Sequence, residues 1–197
     1  MANAATTDDA SAWDEGWWRH ARCCPSPNFG PRPAGGDVSL ALIHSISLPP
    51  GVYGGDAVER LFTNRLDWDA HPYYQQIRGA QVSSHFFIRR NGDFIQFVSC
   101  DERAWHAGRS QWQGRDNCND FSVGIELEGL EGETFEPAQY DALTRLLQAL
   151  AARYPLRHIA GHEHVAPGRK CDPGPGFDWP ALQAALRWPE SAFAALA

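Results

Sequence analysis

Residues 38–44 read VSLALIH and residues 121–128 read FSVGIELE, and these two stretches decide the fold class. The first is a short, almost unbroken apolar run, the pattern of a strand covered on both faces. The second alternates, with Val123, Ile125 and Leu127 on one face and Glu126 and Glu128 on the other. Between them, HFFIRR at 85–90 and DFIQFV at 93–98 flank Asn91 and Gly92. That pair tolerates the positive φ of a two-residue type I′ hairpin turn. Farther out the period changes. In 137–154, Leu143, Leu146, Leu147, Leu150 and Tyr154 recur at helical spacing, with Pro137 suited to the first turn. Asp178 is placed to cap a C-terminal helix carrying Leu182 and Leu186, and a shorter helix fits 56–63 through Val58, Leu61 and Phe62. Strands interspersed with helices predict a mixed α/β fold, a single central mixed β-sheet flanked by helices.

One domain is expected over 13–197, after a small, polar, acidic stretch at 1–12 that reads as a disordered tail. The passage CCPSPNFGPRPAGGD at 23–37 carries prolines and paired glycines and should cross the surface without regular structure. With 24 acidic against 17 basic residues, and Lys170 the only lysine, nucleic acid is not an expected partner. No apolar run is long enough to span a bilayer, so no membrane partner is expected either. The start MANAATTDDASAWDEG has neither the basic opening nor the apolar core of a secretory signal. Five cysteines without regular spacing fit a reducing compartment, and together these features predict a cytoplasmic location; a monomer is the expected state.

Chemistry concentrates where strands give way to loops. His44 closes the first apolar strand and leads into SISLPPGVYGG; His162 precedes EHVAPGRKCDPGPG, which holds Lys170, Cys171 and Asp172. Two imidazoles and one carboxylate leave a fourth tetrahedral position open, the arrangement of catalytic zinc. Any single histidine is more often a hydrogen-bonded structural residue, and the residues alone leave alternatives open. Cys171 is chemically a better zinc ligand than the carboxylate of its neighbour Asp172, and in an extended segment only one of them would face the metal. His164, two residues beyond His162, is a further candidate. Glu126 and Glu128 share one strand face, so alternation does not choose a base between them.

Four motifs carry a resemblance: IHSISLPPGVYGG, VSSHFFIRRNGDFIQFV, RAWHAGRSQWQGRDNCNDFSVGIELEG and GHEHVAPGRKCDPGPGFDW. In this order, over about residues 14–187, they resemble the AmpD-type branch of the zinc N-acetylmuramoyl-L-alanine amidases, whose fold peptidoglycan recognition proteins share. The resemblance implies His44, His162 and Asp172 as zinc ligands, Glu126 as general base and Lys170 as the cation facing the oxyanion. It places Tyr73 near the site and His106 beside Trp105 along the substrate groove, with ordinary core burial the equal alternative for Trp105. His85 is implied as a hydrogen-bonding support for the ligands. Substrate and setting follow from the same resemblance: an anhydromuropeptide, cleaved between N-acetylmuramic acid and L-alanine in the cytoplasm. That is peptidoglycan recycling, which in some bacteria sets β-lactamase induction. A lysin-like amidase on intact wall and a non-catalytic peptidoglycan-binding module are the alternatives. The chain departs from the branch at Ser45, where relatives have Asn, and at Gln81 and Asn117, where they carry arginines for the sugar and peptide.

Overall fold

The computed structural model describes residues 12–195. Its main sheet contains β1 (Arg22–Cys23), β2 (Leu40–Ile46), β3 (Phe86–Ile88), β4 (Phe94–Gln96), β5 (Ser122–Glu128) and β6 (His158–Gly161), in the spatial order β6-β2-β5-β3-β4-β1. Only the β3–β4 hairpin is antiparallel, so the sheet is mixed, as its sequence predicts. Around it lie α1 (Ala57–Phe62), α2 (Pro72–Gln76), α3 (Pro137–Arg153), α4 (His162–Val165) and α5 (Trp179–Leu186).

The strand patterns explain the layering. Ala41 and Ile43 of β2 and Val123, Ile125 and Leu127 of β5 face the same way, onto Leu143, Leu146, Leu147 and Leu150 of α3 and Leu182 of α5. Each such leucine contributes about 2 kcal/mol by leaving water. On the other face, Leu40 and Leu42 meet Ala107, Phe121 and Val165, while Phe87 and Phe97 meet Leu61 and Phe62 of α1. Helix α3 begins with Pro137 and is tied to the sheet by Gln139, whose Nε2 donates to the carbonyls of Ile88 and Glu128 at 3.2 and 3.1 Å. Asp178 caps α5, its Oδ1 accepting from Ala181 N at 2.9 Å.

Two expectations are corrected. The hairpin turn is not type I′: Gly92 has φ +86° but Asn91 is not among the positive-φ residues. Gly92 N donates to Arg89 O and Arg89 N to Asp93 O, the pattern of a type I turn ending in a glycine bulge, while Asn91 Oδ1 accepts from Asp93 N. The Pro-rich passage is partly regular and partly buried. Phe29–Pro31 pairs antiparallel with Glu102–Ala104, Ser26 and Asn28 are buried, and Arg32 donates to the carbonyls of Cys100, Asn119, Asp120 and Ser122. Proline removes only its own N–H, so the residues between prolines keep theirs for pairing. The expected tail 1–12 falls outside the described residues except Ala12, whose carbonyl accepts from Arg19 N and which packs on the core.

The topology also sets one rung. Glu126 of β5 pairs with His44 of β2, and Gly161 of β6 pairs with Ile43. His162, the next residue after Gly161, therefore arrives level with His44. Three parallel strands deliver a carboxylate and two imidazoles at their carboxyl ends, the edge where open α/β sheets bind ligands.

Candidate metal centre

At that edge His44 Nδ1, His162 Nδ1 and Asp172 Oδ2 converge, with separations of 2.9, 3.1 and 3.2 Å. Asp172 comes from the loop before α5, held against the start of α4 by Glu163 N–H donating to the Asp172 carbonyl at 3.0 Å. Both imidazoles are buried. Two imidazole nitrogens and one carboxylate oxygen within 4.8 Å of one another are a fitting donor set for a metal ion.

Electrostatics agree. Burial, reinforced by neighbouring His162, lowers the His44 pKa to about 4, which leaves its lone pair free near neutral pH. Burial pushes the Asp172 carboxyl up, but hydrogen bonds to His162 and His44 more than offset it and hold the group below the usual carboxylate range. Glu126 behaves oppositely. Burial first, then the charge of Asp172, raise its pKa well above the ordinary value, against the pull of Lys170. Among the described residues Glu126 has no hydrogen-bond partner. It faces a cavity of about 580 Å³ whose lining includes His44, Tyr73, Glu126, His162, Lys170 and Asp172.

A family description of N-acetylmuramoyl-L-alanine amidases matches residues 34–175. The 1,6-anhydro-N-acetylmuramyl-L-alanine amidase AmpD of Citrobacter freundii is 49% identical over 173 residues, covering 87% of this chain and 92% of that protein. The chain belongs to the N-acetylmuramoyl-L-alanine amidase family. A crystal structure of an AmpD derivative superposes on this amidase with a TM-score of 0.86 at 48% identity, covering 88% of this chain and 98% of that one. The E. coli amidase AmiD, solved with anhydro-N-acetylmuramic acid-L-Ala-D-γ-Glu-L-Lys, matches at TM-score 0.55 and 32% identity over 75% of this chain and 57% of its own.

The amidase fold sorts the remaining sequence candidates. Ser45, Tyr73 and His106 line the cavity beside Glu126 and exposed Lys170. Gln81, Trp105 and Asn117 do not: Gln81 and Asn117 are exposed, and Trp105 is half-buried with its backbone paired to Ser83. Cys171 is exposed on the cavity rim and stands outside the donor cluster. His164 turns back on its own chain, Nδ1 accepting from Gly161 N at 2.8 Å and the ring lying 5.5 Å from Trp179. His85 does not touch the ligands. Its Nδ1 accepts from Gly124 N at 3.0 Å, so its Nε2 donates to the Glu102 carbonyl at 3.1 Å.

The two glutamates also separate. Both are buried. Glu128 accepts from Arg89, from Gly54 N at 2.6 Å and from Arg90 N at 3.1 Å, and is committed to structure. Sequence reasoning missed Arg169, whose guanidinium joins the ligand loop to the carbonyls of Ala107 and Arg109 at 2.5 and 2.7 Å. It adjoins Lys170, and no periodicity marks it.

Proposed function

We propose that this chain is a zinc-dependent hydrolase of the amide bond between anhydro-N-acetylmuramic acid and L-alanine, acting on soluble muropeptides in the cytoplasm. The observation that carries this reading is the rung itself: a three-donor cluster beside a buried carboxylate that has no hydrogen-bond partner among the described residues and lines one cavity. Zinc fits because two imidazoles and a carboxylate form a catalytic rather than a closed structural set. When bound, the ion supplies a Lewis acid for the scissile carbonyl and acidifies the attacking water.

The residues divide the remaining work. Glu126 takes a proton from the water as its oxygen attacks the lactyl carbonyl carbon. The Lys170 ammonium, on the lining of the same cavity, stabilises the negative charge that grows on the carbonyl oxygen. As the C–N bond breaks, Glu126 returns the proton to the leaving alanine nitrogen, so neither proton nor charge is left over. Its raised pKa suits a group that must accept a proton and then give it back. Ser45 and Tyr73 contact the sugar or peptide across the cavity wall, and Gln81, Trp105 and Asn117 act only at its margin. One chain contains the whole cluster, so a monomer suffices. Free thiols at Cys23, Cys24 and Cys171, exposed or half-exposed, support the cytoplasmic assignment.

The deciding experiment incubates purified protein with anhydromuropeptides and separately with intact sacculi, with and without chelator, and follows released peptide by mass spectrometry. Chelator-sensitive release, faster from anhydromuropeptides at matched concentration, is expected. Faster release from sacculi would replace this reading with the lysin-like one.

A further inference from the structure

Both donor imidazoles must keep Nδ1 unprotonated for a cation, and each therefore needs its proton on Nε2. For His162 the reason is immediate: Nε2 lies 2.9 Å from the carbonyl of Ala107, which can only accept. For His44 the partner is another imidazole. His44 Nε2 lies 2.9 Å from His106 Nδ1, and a histidine pair by itself leaves the direction of donation undecided.

The direction is decided two steps away. His106 Nε2 lies 3.3 Å from Ser122 Oγ, and Ser122 Oγ lies 2.6 Å from the carbonyl of Cys118. A serine hydroxyl has one proton, and Ser122 uses it on that carbonyl. Ser122 Oγ must then accept from His106 Nε2–H. His106 Nδ1 is left as an acceptor, so His44 donates from Nε2 and keeps the lone pair on Nδ1. We propose that His106, oriented through Ser122 and the Cys118 carbonyl, is a positioning residue that locks His44 in the Nε2–H tautomer and aims Nδ1 at the metal.

The surroundings are built for this. Asn119 Oδ1 accepts from the backbone N–H groups of both His106 and Ala107, at 3.1 and 2.8 Å. One side chain thus clamps the dipeptide that orients both ligands, His106 through its ring and Ala107 through its carbonyl. Arg32 holds the same loop, donating to the carbonyls of Asn119 and Ser122. Gly124 makes the room: a Cβ there would come within 2.5 Å of the His106 ring. His106 lies edge-on to His44 with centroids 5.1 Å apart, which fixes the plane as well as the proton. Hydrogen-bond partners of this kind raise ligand basicity and commonly alter metal affinity ten- to about a hundredfold when lost.

The proposal deepens the metal reading and rests on His44 being a donor, so the test has one arm that needs no metal. In ¹⁵N-labelled, metal-free protein the His44 ring is expected as the Nε2–H tautomer, and Ser122→Ala is expected to mix the two tautomers. In the second arm, zinc affinity is measured by chelator competition on the full chain. His106→Leu should weaken it by about ten- to a hundredfold, Ser122→Ala by less, and His106→Asn should restore most of it, since Asn Oδ1 takes the place of Nδ1. KM for anhydromuropeptide should stay within about twofold in Ser122→Ala, because Ser122 is buried and does not line the cavity. An Nδ1–H tautomer at His44, or unchanged zinc affinity in Ser122→Ala, would overturn the proposal, and so would His106→Leu raising KM alone. Should wild-type protein bind no zinc while His44 holds the Nε2–H tautomer, the metal reading fails and the relay stands.

Discussion

Glu126 and Glu128 lie two residues apart on one face of one strand, yet they belong to different regions of the molecule. Around Glu128 the β3–β4 turn and the loop at Gly54 close in: Arg89 approaches to 3.0 Å and is itself held at 2.8 Å by Glu59. Backbone N–H groups of Gly54 and Arg90 complete the shell. Around Glu126 there is a cavity, the donor cluster and, among the described residues, no hydrogen-bond partner. Desolvation is common to both sites, and only one of them compensates it. A buried carboxylate with its acceptor sites filled is stabilising architecture, whereas one left open is reactive and costs stability. The difference teaches where to expect chemistry: at the polar group the fold declines to satisfy.

The largest effect expected from this contrast is at the donor cluster. His44→Ala, His162→Ala or Asp172→Ala should each lose copurifying zinc and reduce hydrolysis to background, measured by metal analysis and peptide release. Full zinc occupancy in Asp172→Ala would move the third ligand to Cys171. Next comes the pair itself. Glu126→Gln should keep zinc and fold but lose about a hundredfold or more in turnover, the scale of a missing general base. Glu128→Gln should retain turnover within a few-fold while losing about 3 kcal/mol of stability in urea, the scale of a broken buried ion pair. Interchanged effects would destroy the comparison.

Acidity sharpens it further. A carboxyl whose folded pKa is raised contributes stability that is complete below its unfolded pKa and is lost as pH rises through the folded one. In metal-free protein, the Glu126 contribution should therefore vanish between the ordinary carboxylate range and its raised folded value. Urea unfolding at pH 5 and pH 8 should show Glu126→Gln gaining on wild type as pH rises. A constant gap would mean that Glu126 ionises normally. The smallest effect belongs at the cavity margin. Gln81→Arg and Asn117→Arg add single exposed charges outside the lining and should lower KM for anhydromuropeptides by less than about fivefold, with kcat unchanged.

Sequence alone determined the layers and the chemistry's vocabulary. Alternation in FSVGIELE put Glu126 and Glu128 on the face opposite Val123, Ile125 and Leu127, and the 3.6-residue recurrence of Leu143, Leu146, Leu147 and Leu150 made α3. Such periods are local, since the backbone geometry of a strand or helix repeats every few residues. The motifs around His44, His162 and Asp172 likewise marked the three side chains that the fold gathers into one donor cluster. Only the tertiary structure decided which glutamate is free, where His164 and His85 spend their hydrogen bonds, and that Asn119, Ser122 and Ala107 stand behind the ligands. It also corrected the hairpin turn and tied Arg32 of the Pro-rich passage to the carbonyls of Cys100 and Ser122. These are matters of register between distant segments: Glu126 pairs with His44 across 82 positions of chain (126 minus 44), and Arg32 reaches Ser122 across 90. A residue's alternation tells which face it occupies, but what meets it there depends on strands and loops brought together only by the closed fold.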